Sequence, residues 1–325
     1  MRILIPMAGL GTRLRPHTHT KPKPLLQVAG KAVLDHVLDR LSELDVQELV
    51  FIVGHLGDQI KEHVEANYDF DSSYVEQKEP KGQAHALYLA RDHLKGPVFI
   101  IFVDTIFEAD LRFLKEISSD GVIFVKEVDD PSRFGVVTVE EGFITGFVEK
   151  PDEPISNLAL VGLYYIRNSA LLRECIEAVL AGEVKTKGEY YLADALQIMV
   201  DRGAKLEPGS VEVWEDCGKP ETLLATNRHL LRKSGGQETA TDNSVLIPPV
   251  HIASSASIVN SIIGPYVSIA GDVVIEDSII SDSIIDQGAR IQRAILRESL
   301  VGSHTSVRDD FSKVDIGDHS TVRLG

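Results

Sequence analysis

The sequence predicts an α/β protein: a mostly parallel, twisted sheet flanked by helices, followed by a small parallel β-helix. Three observations carry this reading. Short apolar runs alternate with amphipathic stretches through the first part of the 325 residues. A polar stretch, 234–244, then breaks the pattern. Beyond it, apolar residues recur in steps of five or six, a spacing that no helix produces.

Arg2 to Met7 reads as a buried strand. Lys31 to Leu44 carries Val33, Leu34, Val37, Leu38, Leu41 and Leu44 at helical spacing. Glu48 to Val53 is the next strand, followed by a loop at Gly54–Gly57 and a helix from Asp58 to Asn67. Ser73 to Glu76 reads as a strand, Gln83 to Leu94 as a helix, and Pro97 to Val103 as a strongly apolar strand. This β-α-β rhythm calls for a parallel sheet covered on both faces, with ligands beyond the carboxyl ends of its strands. From Asp120 to Val148 the runs become short and β-rich, and Leu158 to Arg167 adds another strand. Leu171 to Leu180, Tyr191 to Asp201 and Pro220 to Lys233 read as helices.

Residues 1–233 are thus expected as one domain, 234–244 as a linker and 245–325 as a second domain. In the last, Ile252, Ile258, Ile263, Ile269, Ile275, Ile280, Ile285, Ile291, Leu296, Val301 and Val307 mark the repeat. Each six-residue unit supplies one short strand and one corner, and the steps of five imply local irregularities. A β-sandwich would instead show strict alternation and hairpin turns.

The formal net charge of −16 disfavours nucleic acid as a partner, although small anions can enter a locally basic pocket. Cys175 and Cys217 suggest neither a disulfide framework nor a zinc site. No run of 18 apolar residues is present, so no membrane partner is expected. The N-terminus reads as a strand leading into a charged loop rather than a leader, and the expected location is the cytoplasm.

That loop, Ala8 to Pro16, contains Gly9, Gly11, Thr12, Arg13 and Arg15, and Lys21 and Lys23 follow. Glycines after a strand let backbone N–H groups approach phosphates. A dinucleotide fingerprint requires a third glycine and an immediate helix, and Pro16 stands there instead. A P-loop requires Gly-Lys-Ser/Thr, which is missing. What remains is a cationic cluster with its geometry fixed by glycines and prolines.

The pattern Gly9 to Pro16 with Pro22-Lys23 resembles the sugar-1-phosphate nucleotidylyltransferase family. The nearest likeness is to its long-form glucose-1-phosphate thymidylyltransferases, which end in a left-handed β-helix. The resemblance implies a Rossmann-like catalytic domain, a nucleoside triphosphate and a sugar 1-phosphate as substrates, and Mg²⁺ as cofactor. It implies that Gly9, Gly11 and Thr12 line the nucleotide pocket, and that Arg13 and Lys23 hold the triphosphate and stabilise departing pyrophosphate.

Other stretches match the same family. Gln77 and Gly82 resemble its base-reading segment. Asp104 ends the most apolar strand, where a ligand crevice opens or where the Asp caps a turn. The resemblance makes it a metal ligand, although the usual Gly-Asp-Asn is Val103-Asp104-Thr105 here. Gly135, Glu149, Lys150 and Gly162 match the sugar-phosphate side, with Glu149 for hydroxyls and Lys150 for phosphate. Asp216 matches a second metal carboxylate. Cys217 reads as inert packing, and no catalytic His is expected among the 11.

Three functions fit: a thymidylyl- or uridylyltransferase on glucose 1-phosphate, a bifunctional enzyme whose β-helix also acetylates an amino sugar, and a non-catalytic sugar-nucleotide sensor. Arg13, Lys23, Asp104, Lys150 and Asp216 together argue against the sensor. The tail is expected to drive homo-oligomerisation. Its His251, His304 and His319 sit in no evident loop that could wrap an acetyl donor.

Overall fold

The computed structural model describes residues 1–309 except 42, 43, 152, 154, 184, 187 and 238. Residues 310–325, which the sequence reading assigns to the β-helix, and His319 lie outside the described residues. The chain forms two compact units. One holds Met1–Leu26 and Lys31–Thr226; the other holds Gln27–Gly30 and the chain from Asn227.

The first unit is built on strand β1 (Arg2–Pro6). It pairs in parallel with β2 (Glu48–Val53), which pairs with β3 (Ser72–Glu76), and on its other side with β4 (Val98–Ile101). Side chains alternate across the pleat, so each strand feeds two cores. Leu4, Val50, Ile52 and Ile100 join one, with α3 (Gln83–Leu89), α4 (Ser169–Ala181) and α5 (Leu192–Asp201). Ile3, Ile5, Leu49, Phe51 and Phe99 join the other, with α1 (Val33–Arg40) and α2 (Gly57–Asn67). Continuous apolar runs such as Ile3-Leu4-Ile5 follow directly from this burial on both faces.

Two expected helices are shorter than their apolar spacing. The first ends at Arg40, yet Leu41 and Leu44 remain buried beyond it. The helix from Gln83 stops at Leu89 and continues as one 3₁₀ turn, Arg91–His93.

Beyond β4 the pairing becomes antiparallel. Thr105–Glu108 (β5) leaves the sheet to form a ribbon described below. Gly121–Glu127 (β6), Gly135–Glu140 (β7), Phe143–Glu149 (β8) and Leu158–Ile166 (β9) follow. β9 runs antiparallel to β4, β6 and β7, and β7 pairs with β8. Leu206–Ser210 (β10) adds to β6 in parallel.

In the second unit short strands stack in parallel into a β-helix. Three inward columns form its core: Ile252, Ile269, Ile285 and Val301; Leu246, Ile263, Ile280 and Leu296; Ile258, Ile275, Ile291 and Val307. Partners stand 17 residues apart at first and 16 apart later, as the side-chain ladders of Asn243–Asn260 and Ser278–Ala294 record. The steps of five in the sequence are therefore regular: one or two of the three units in each coil drop a residue. The corners stack too. Asn243, Asn260, Asp277 and Arg293 all take left-handed φ, between 43° and 55°. Short polar side chains tolerate that region best, which accounts for the recurring Asn and Asp. Within the polar stretch 234–244, Gly236 and Gln237 pair with Val250 and His251. The fully buried Asn227 accepts at Oδ1 from the Ala29 N–H at 2.8 Å and the Ser268 hydroxyl at 2.6 Å.

Asp277→Val should lower the unfolding midpoint of this unit, because a β-branched residue in left-handed φ costs about 1–2 kcal/mol. Asp277→Gly should leave it nearly unchanged. Thermal denaturation checks both, and equal midpoints for the two variants would contradict corner strain.

Candidate active site

The site lies where the parallel strands end. The loop after β1 turns at Gly11, which sits at φ 60°. A Cβ there would stand 3.1 Å from Thr18 Cγ2 and 3.2 Å from Lys23 Cβ, so the two flanking segments are packed onto the turn. Thr18 Oγ1 donates to Gly11 O at 2.9 Å and fixes it. Lys23 is thereby carried to within 3.5 Å of Asp104, Nζ to Oδ2.

Asp104 meets Asp216 through the ribbon of β5 and β11 (Val213–Asp216), whose register sets Thr105 opposite Asp216. The Cys217 N–H donates to Asp104 O at 2.8 Å, extending the pairing by one residue. The Asp216 carboxylate is oriented by the Gly218 N–H at 2.7 Å, and its backbone oxygen accepts from Thr226 Oγ1 at 3.1 Å. A Cβ on Gly218 would fall 2.7 Å from Asp216 Oδ1 and 3.2 Å from Arg13 Nη2, so this glycine leaves room for both groups. Burial pushes the Cys217 thiol up to about 12, so it stays protonated at neutral pH and is no nucleophile.

Two cavities open here. One, of about 470 Å³, is lined by Gly9, Gly11, Thr12, Arg13, Lys23, Gln77, Gly82 and Asp104. Gln77 is nearly buried; its Nε2 donates to Gly82 O at 3.1 Å and lies 3.0 Å from His85 Nδ1. Burial lowers the pKa of His85, which favours its neutral form. Gly82 has φ 107°, and a Cβ would come within 2.5 Å of the Tyr190 backbone oxygen. The other cavity, of about 420 Å³, is lined by Arg13, Asp104, Gly135, Glu149, Lys150, Gly162 and Asp216. Gly135 seats Glu149, because a Cβ would stand 2.8 Å from its Oε2. Gly162, at φ 96°, interrupts the β6–β9 register, and its carbonyl oxygen accepts from the Phe102 N–H. Arg13, Gln83, Phe102, Asp104 and Glu189 line both cavities and form their shared wall.

Every residue given a site role from sequence lines one cavity or the other, whereas Arg15 and Lys21 of the cationic cluster line neither. Sequence reasoning missed Gln83, Phe102, Arg133, Glu189, Tyr191, Trp214 and Lys219. Trp214, beside Asp216 in the matched stretch, could have been found from that stretch; its indole nitrogen is buried without a partner. Tyr191 carries no local signal, since an aromatic at a helix entry usually packs.

The model of the nucleotidyl transferase family matches residues 3–233. The chain belongs to that family. Over its whole length it is 30% identical to a glucose-1-phosphate thymidylyltransferase of Streptomyces griseus, spanning 99% of that protein. It is 32% identical to the low-salt glycan biosynthesis nucleotidyltransferase Agl11 of Haloferax volcanii, with both chains fully covered. Among solved structures it resembles a UDP-glucose pyrophosphorylase complexed with UDP-glucose, at TM-score 0.60 and 25% identity over 71% of this chain and 98% of that one. Among the described residues no helix is long and apolar enough to cross a membrane.

Gly82→Ala in this nucleotidyl transferase should cost about 1–3 kcal/mol of stability, since both its φ and the Tyr190 backbone oppose a side chain. Chemical denaturation measures this. A variant as stable as the parent would contradict the packing described.

Proposed function

We propose that the protein joins a pyrimidine nucleoside triphosphate, dTTP first and UTP second, to a sugar 1-phosphate, with glucose 1-phosphate preferred, and releases pyrophosphate. The observation that carries this reading is the shared wall. Two cavities of substrate size meet at Arg13 and Asp104, as a reaction between two bound molecules requires.

The first cavity suits the triphosphate. With the Gln77 amide nitrogen committed to Gly82 O, its carbonyl oxygen is the end left to meet a base. An acceptor there matches the N3–H of thymine or uracil and mismatches the N3 of cytosine. Arg13 and Lys23 neutralise the phosphates and stabilise the leaving pyrophosphate. The second cavity suits the sugar phosphate. Glu149 accepts hydroxyl hydrogens, Gly135 and Gly162 allow the ring close to the backbone, and Lys150 pairs with the phosphate. A phosphate oxygen, already ionised at neutral pH, attacks the α-phosphorus while the bond to the β-phosphate oxygen breaks. No general base is required.

Asp104 and Asp216 fit Mg²⁺, which binds through one or two carboxylates and takes its other ligands from phosphates and water. Among the described residues there is no cluster of three His, Cys, Asp or Glu that would form a protein-only cage. When bound, the ion supplies charge neutralisation at the α-phosphate. Asp216 is held for this by Gly218 and Thr226.

The β-helix is proposed to associate with a second copy of the chain. Val245, Ile262, Ile279 and Ile295 stack in register on its outside, and the last is 72% exposed. Such a ladder is an exposed apolar face, and similar stacked rungs suit self-pairing.

A panel of triphosphates with glucose 1-phosphate, read by pyrophosphate release, should show turnover with dTTP or UTP and none with CTP. Absence of turnover with any pair would sink the proposal. Asp104→Asn and Asp216→Asn should each lower kcat by about 10²-fold or more at saturating Mg²⁺ with the fold retained, as expected for loss of a metal ligand. Wild-type turnover in either would remove that residue from the metal site. Ile279→Asp combined with Ile295→Asp should lower the mass seen by light scattering. An unchanged mass, or a monomeric parent, would contradict assembly through this face.

A further inference from the structure

The side chain of Lys150 is held more tightly than a surface lysine would be. It follows β8 directly, at φ 47°, a left-handed conformation that lysine rarely adopts. Its N–H donates to Phe134 O at 3.1 Å, which fixes this unusual backbone. Its ammonium is met by Glu149, its neighbour in sequence, and by the distant Tyr191. Glu149 Oε1 lies 3.3 Å away, and the Tyr191 hydroxyl accepts from Nζ at 3.3 Å. The same Nζ stands 5.2 Å from the centre of the Tyr191 ring.

Tyr191 is itself anchored. It is 7% exposed and lines the second cavity. Its extended backbone (φ −84°, ψ 147°) immediately precedes α5, whose first turn carries Asp194. The Asp194 carboxylate accepts from Thr186 Oγ1 at 3.2 Å. Tyr191 thus links the start of α5 to the Lys150 ammonium. Burial draws the pKa of Lys150 down, but Tyr191 and Glu149 outweigh it and the net shift is upward. The ammonium stays charged.

We propose that Tyr191 is a positioning residue for the nucleotidyl transfer reaction: its hydroxyl and ring face set the Lys150 ammonium at the place where the phosphate of the sugar 1-phosphate is received. This rests on the proposed function, in which Lys150 meets that phosphate. A lysine free to rotate would offer the charge but not the place. A lysine with its backbone fixed by Phe134 and its tip by Tyr191 is arranged before the substrate enters, and the alignment cost is met by folding. Glu149 gains as well, because a fixed ammonium beside it fixes its own carboxylate toward the sugar hydroxyls.

The test is a double-mutant cycle on the full-length protein with Tyr191→Phe and Lys150→Ala, reading KM for each substrate separately. Phenylalanine keeps the ring and its packing, and circular dichroism together with calorimetric binding of the triphosphate reports that the fold survives. Tyr191→Phe should raise KM for glucose 1-phosphate about five- to tenfold, the loss of one hydrogen bond, and leave KM for the triphosphate within about twofold. In the Lys150→Ala background the same change should have less than about a twofold effect, because the group being positioned is gone. An equal loss in both backgrounds would overturn the positioning role and give Tyr191 a direct or purely structural one. Equal rises in both KM values would overturn it too. If Lys150→Ala itself leaves KM for glucose 1-phosphate unchanged, the phosphate role of Lys150 falls, and this inference with it. A raised KM in Lys150→Ala with additive effects of Tyr191→Phe would remove this inference alone.

Discussion

The site depends on one piece of backbone pairing, the antiparallel ribbon of Thr105–Glu108 with Val213–Asp216. Its strands come from distant parts of the sequence; one begins just after Asp104 and the other ends at Asp216. Two carboxylates brought together would repel, so the geometry has to be imposed by something stronger than their own preference. Backbone hydrogen bonds do this, including the one from Cys217 N–H to Asp104 O at 2.8 Å. Lys23, at 3.5 Å from Asp104, and Arg13, near Gly218, offset part of the repulsion. The charge that remains is the basis for proposing a divalent cation at this pair.

The rest of the cavity walls serve that meeting point through close approach. At Gly82 the Tyr190 backbone and at Gly135 the Glu149 carboxylate occupy the volume a side chain would need. Loops brought this near one another bring polar groups from β1, β4, β8 and α5 into two adjoining cavities. Lys150 is the exception that uses a left-handed backbone without being glycine, and such strain concentrates where a side chain must be delivered to a fixed point.

Much of this was legible in the residues. The apolar runs Ile3-Leu4-Ile5 and Val98–Ile101 gave buried parallel strands, because both their faces are covered. The recurrence from Ile252 to Val307 gave all of the three inward columns of the β-helix except Leu246. The glycine-rich loop was found from local pattern, and the Glu149-Lys150 pair from the family resemblance. What could not be read was anything set by register between distant segments. No local signal says that Thr105 stands opposite Asp216, that Tyr190 packs on Gly82, or that Tyr191 reaches Lys150. Helix ends were misjudged at Arg40 and Leu89 because Leu41, Leu44 and Leu94 are buried by tertiary contact outside any α-helix. Apolar periodicity reports burial, and burial outlasts the helix.

The central claim is that the two cavities present their ligands to one another across the wall of Arg13 and Asp104, so that transfer occurs in a single in-line displacement. The stereochemical course at phosphorus tests this most directly. The protein would be given glucose 1-phosphate and dTTP carrying sulfur at the α-phosphorus in one known configuration, and the configuration of the product would be determined by phosphorus NMR. A single displacement inverts that centre, and inversion is the predicted result. Retention would require two displacements through a nucleotidylated side chain, and would contradict the account.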